Sequence, residues 1–129
     1  MAAPDERPEL RRVIPVGHDF VRADGSSMVA TSVDLWSTQV VVHVVVLVDD
    51  AEAAVPDHEA RVAGGRVLRP GGVQLRDDVG TVYTSLGGGG GGHPQMIFSH
   101  QPFDPPVPVA ATTLWLRDPV SQTEVAVAL

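Results

Sequence analysis

Apolar and polar residues alternate with a period of two along much of this chain, but one stretch is apolar on both sides. It reads QVVVHVVVLVDD, residues 39–50. Seven valines and a leucine surround one histidine there, and β-branched side chains favour strand over helix. Successive strand side chains point to opposite faces. Val40, Val42, Val44, Val46 and Val48 therefore line one side, and Gln39, Val41, His43, Val45 and Leu47 line the other. MVATSVDLW, residues 28–36, alternates in the ordinary way. Val29, Thr31, Val33 and Leu35 share one side; Ala30, Ser32, Asp34 and Trp36 share the other. PQMIFSHQPF (94–103) sets Met96, Phe98 and His100 together. TTLWLRD (112–118) and TEVAVAL (123–129) predict two last strands, with Leu114 and Leu116 opposite Trp115 and Arg117.

The punctuation between these runs consists of turn residues. Pro15 in VIPV (13–16) predicts a short edge strand, because proline cannot donate to a ladder. Asp24-Gly25 marks a turn, as do residues 119–122. RVLRPGGVQLRDDVGTVYTSL (66–86) reads as a strand, a Pro70-Gly71-Gly72 turn and a hairpin closed by Asp77-Asp78-Val79-Gly80. Residues 49–65 are acidic, alanine-rich and broken by Pro56, which predicts a long loop with one helical turn at 51–54. The six glycines at 87–92 predict a flexible connector, since ordering them costs much backbone entropy. DPPVPVAA (104–111) reads as an extended crossing. No stretch of useful length carries the helical period. The pattern predicts an all-β fold, an antiparallel sandwich of seven to eight strands, in one domain over 13–129 behind a flexible tail at 1–12.

VQLRDDVGTVY, the glycine run, IFSHQPFDPPVPVAATTLWL and VAVAL together resemble small actinobacterial immunoglobulin-like sandwich proteins. The resemblance covers roughly the C-terminal half and implies an immunoglobulin-like fold. It carries no catalytic signature, and the cysteine pair and intervening tryptophan of antibody domains are absent.

Composition narrows the function classes. The net charge is −7, from sixteen carboxylates against nine basic groups, all arginine. Nucleic-acid and anionic-membrane binders need basic surfaces, so neither partner is expected. The arginine-only usage suggests a bacterial source with a high-GC genome. There is no cysteine, which excludes disulfides and thiolate metal sites and fits a reducing compartment. The apolar run at 40–48 is about half a membrane-spanning helix, and no signal-like stretch is visible, so a cytoplasmic chain is expected.

Chemistry has little purchase. The glycine run lacks the lysine and following helix of a phosphate loop. His93 and His100 show no metal-ligand spacing, and Asp77-Asp78 and Asp49-Asp50 lack a calcium-loop pattern. No Gly-x-Ser-x-Gly element occurs. No catalytic residue, cofactor or metal site is therefore assigned. If the all-valine side faces the core, Trp36, Val41, His43, Val45, Leu47 and Trp115 point outward as a potential interface. Two readings follow. The first is a non-catalytic module that self-associates as a homo-oligomer or docks a protein partner there. The second is a small-ligand or metal-binding accessory domain or enzyme using loop residues such as His93, His100, Asp77 and Asp78.

Overall fold

The computed structural model describes residues 7–48 and 72–129, and every structural statement refers to these. They form nine antiparallel strands and no helix: β1 (Leu10–Val21), β2 (Ser27–Trp36), β3 (Val40–Leu47), β4 (Gln74–Asp77), β5 (Thr84–Ser85), β6 (Gly89–His93), β7 (Met96–Asp104), β8 (Thr113–Asp118) and β9 (Thr123–Ala128). The larger sheet runs β1-β2-β3-β7-β5, and β6 also pairs with β7. The smaller runs β4-β8-β9. One core cluster joins them. Ile14, Phe20, Met28, Ala30, Val33 and the even-numbered valines 40–46 come from the larger sheet; Leu114, Leu116 and Val127 come from the smaller. The all-valine side of β3 is thus the core side.

β2 departs from simple alternation. A bulge between Ala30 and Ser32 shifts its register against β3. Before it Met28 and Ala30 point inward, after it Val33 does, and all three are fully buried. An extra residue in one strand moves everything beyond it to the opposite face. Strict alternation grouped Ala30 with Asp34 and Trp36. In the fold Ala30 lies in the core, while Val29, Ser32, Asp34 and Trp36 take the outer phase.

Two buried polar ties lock the sheets together. Arg22, just beyond β1, grips Asp118 at the end of β8 through Nε–Oδ2 (3.0 Å) and a terminal nitrogen on Oδ1 (3.1 Å). Burial raises the Asp118 carboxyl, but Arg22 and the Val120 N–H more than offset it and hold it below the usual range. Gln101 Oε1 on β7 accepts the Val73 N–H at 3.1 Å, just ahead of β4.

Several segments differ from the sequence expectations. The edge strand starts at Leu10, inside the expected tail, and runs twelve residues. The expected 66–86 hairpin does not form among the described residues. β4 pairs with β8, and after the 77–80 turn the chain crosses to the other sheet, where β5 pairs with β7. The expected loop at 49–65, its helical turn and the strand start at 66–71 lie outside the described residues.

The glycine run is a strand, not a loose connector. β6 pairs with β7 from Gly89↔His100 to His93↔Met96. Glycine is required there for steric reasons. A Cβ on Gly90 would sit 1.9 Å from the Phe98 carbonyl oxygen, and one on Gly92 would sit 2.4 Å from that of Met96. A backbone this close to its neighbour excludes side chains, so close approach decides the matter over entropy.

Candidate functional site

The outer face of the larger sheet is built by register. One row holds Asp19, Val29, Val45, Phe98 and Gly91; the next holds Pro15, Ser32, His43, His100 and Gly89. Beyond these lie Val13, Asp34, Val41 and Pro102 at one end, and Val21, Ser27, Leu47, Met96 and His93 at the other. The Ser32–His43–His100 row is therefore polar, and the Val29–Val45–Phe98 row beside it is largely apolar.

The middle of the face is an open hollow of about 430 Å³, walled by Thr31, Ser32, Asp34, His43, Phe98 and His100. The bulge and the glycines make it. Thr31 falls in the register shift between Ala30 and Ser32, and its Oγ1 donates to the His43 carbonyl oxygen at 3.1 Å. On the other side, the missing side chains of β6 leave room for His100, whose Cε1 lies 3.2 Å from where a Gly89 Cβ would be. His43 Nε2 lies 2.8 Å from Asp34 Oδ2, so the carboxylate fixes the ring against β2. Both groups are partly solvated.

The six expected interface residues divide into two sets. His43, Val45, Val41 and Leu47 share the outer side of β3, and Trp36 ends β2 beside it. Val41 and Val45 are only 8% exposed, because β2 and β7 flank them. The open apolar surface sits instead on Phe98 and Met96 of β7 and on Val13 and Val21 of β1. Trp115 lies on the other sheet, with the Arg76 guanidinium 4.1 Å above its ring and Glu124 paired to that guanidinium at 2.6 Å. It shares no face with Trp36.

Of the loop residues, only His100 reaches the hollow. His93 Nδ1 accepts the Gln95 N–H. Asp77 organises its turn by accepting the Val79 and Thr81 N–H groups and the Tyr83 hydroxyl (2.7 Å). Burial raises the Asp77 carboxyl, but these bonds outweigh it and hold it at about 2. Tyr83 is pushed above its ordinary value by burial and by Asp77. Asp78 caps Thr112 and Thr113, and the Thr112 hydroxyl bond holds it below the usual carboxylate range. Among the described residues no three metal-ligating side chains converge. No hydroxyl or thiol is hydrogen-bonded to the His43 ring there, so the contact that activates a nucleophile is not formed.

Asp34, Ser32 and Phe98 carry no site signature in the sequence. The one available signal is that Phe98 and His100 alternate onto the same side of their strand. Nothing in MVATSVDLW marks the bulge. Compared with protein-family models, curated proteins and solved structures, the chain matches none. No helix among the described residues is long and apolar enough to cross a membrane.

Proposed function

We propose that the chain is a non-catalytic interaction module of immunoglobulin-like topology that associates with a second copy through the outer face of its larger sheet. Strand order supports the topology. β2-β3-β7-β5 over β4-β8-β9 matches the constant-type order A-B-E-D over C-F-G, with β1 as an extra edge strand. Valines of β3 and leucines of β8 fill the core where antibody domains bridge strands B and F with a disulfide.

The observation that carries the association is Phe98, 48% exposed in the same row as Val29 and Val45. An exposed aromatic on a partly apolar face, around a hydrogen-bonding centre, has the anatomy of an interface. Five strands ~4.8 Å apart and about eight residues long give on the order of 600 Å² per protomer. Two such faces reach the lower end of specific interfaces, roughly 1,200 Å² in total. Charge opposes a like partner less at this face than over the chain as a whole. The chain carries −7, yet the carboxylates on the face are few, among them Asp19, Asp34 and Asp104, and Asp34 is hydrogen-bonded to His43.

Light scattering on wild type and on Phe98→Asp tests this. The wild type should exceed the protomer mass at high concentration, and the folded variant should stay at it. Equal masses for the two, including a protomer mass for both, would contradict the proposal.

A further inference from the structure

We propose that the hollow over β3 and β7 binds an alkyl guanidinium, the end group of an arginine side chain. The inference does not rest on self-association: the hollow is open in a single protomer, and a second copy on the same face would compete with the guanidinium, so binding is followed at concentrations where the protomer prevails. Its central polar groups meet a ligand as acceptors. A carboxylate only accepts, so the His43 proton on Nε2 faces Asp34, and the Nδ1 of a neutral ring is a further acceptor. Asp34 Oδ1 accepts nothing among the described residues, while Oδ2 takes the His43 bond. The Thr31 hydroxyl directs its proton to the His43 carbonyl and keeps its lone pairs. Ser32 lines the hollow beside them.

A guanidinium is donor-only, and its planar fork matches a carboxylate. The remaining walls suit the rest of the side chain. Val45 and Phe98 offer apolar surface to the alkyl stem, and the exposed Phe98 ring attracts a cation over its face. The net charge of −7 draws cations from a distance. An anion would meet the Asp34 charge, so carboxylate and phosphate ligands are disfavoured. Ammonium fits less well, because it is a strongly hydrated point charge without the fork.

The test uses the full chain, isotope-labelled and followed by amide and imidazole NMR shifts. The probes are N-acetyl-arginine amide, its lysine counterpart and acetate. The arginine probe should shift Asp34, His43, Phe98 and His100 in a saturable way, the lysine probe should bind more weakly, and acetate should leave the hollow unperturbed. Asp34→Asn should weaken arginine binding about tenfold, the loss expected for one charge-assisted contact. Phe98→Ala, which removes only an exposed ring, should weaken it less and keeps the test valid should Asp34→Asn misfold. A peptide with one arginine binding more tightly than the amide identifies a protein side chain as the source; equal affinity identifies a free small molecule. Shifts scattered over other carboxylates such as Asp19 and Glu124, acetate binding in the hollow, or undiminished binding by both variants would overturn the assignment.

Discussion

Arg22→Met tests how the two sheets are held together. The Arg22 and Asp118 side chains are 5% and 0% exposed and share two hydrogen bonds. Removing the guanidinium leaves an ionised carboxylate in the core without its counter-ion. Breaking a buried pair from one side costs roughly 3–5 kcal/mol. At ~2.1 cal/mol/K per residue, unfolding this chain carries an entropy of about 0.27 kcal/mol/K, so each kcal/mol moves the midpoint by about 4 °C. The expected drop is therefore roughly 11–18 °C in a calorimetric or circular-dichroism melt. The double variant Arg22→Met/Asp118→Leu leaves no orphan charge. It should recover most of the loss, short of the caps that Asp118 supplies to Val120 and Ser121, worth about 1 kcal/mol each. A single-variant loss below about 1 kcal/mol, or a double variant as unstable as the two singles summed, would mean that the pair does not hold the sheets together.

Asp77 gives a pH signature. Its folded carboxyl titrates at about 2 against an ordinary 3.8, so the group stabilises the fold by about 2 kcal/mol above pH 4. That contribution disappears as pH falls from about 4 toward 2; urea melts across this window should show Asp77→Asn less pH-dependent than wild type, and an unchanged slope would count against the turn geometry. Tyr83→Phe removes one bond to Asp77 and should cost about 1 kcal/mol in the same melts at neutral pH. Gly90→Ala should destabilise by roughly 1–3 kcal/mol or speed amide exchange along β6 and β7, because its Cβ has no room. Gly91→Ala, whose Cβ would meet nothing within 4 Å, is the control and should be nearly silent; equal effects would mean β6 is not held against β7.

The all-β class of the described residues and the facing of β3, β8 and β9 were legible because period-two alternation reports directly on burial. Leu114, Leu116 and the even-numbered valines fall where alternation puts them. Three things were not legible. The bulge at Thr31–Ser32 has no residue signature, so the phase of β2 was read through it and Asp34 was not connected to His43. The glycine run carries no side-chain pattern at all, and only the carbonyls of Met96 and Phe98 reveal why glycine is needed. Finally, alternation assigns a residue to the outside of its own strand but not to a sheet, which is why Trp36 and Trp115 read as neighbours though their sheets differ. The same limit hid the shielding of Val41 and Val45, since a central strand is covered by flanking strands whose identity depends on strand order.

Sedimentation equilibrium over a wide concentration range tests the docking face most directly. The mass should rise from the 13.6 kDa protomer toward twice that value, and the rise should be abolished in folded Phe98→Asp. A protomer mass at every concentration, or a dimer that Phe98→Asp leaves intact, would contradict association through this face.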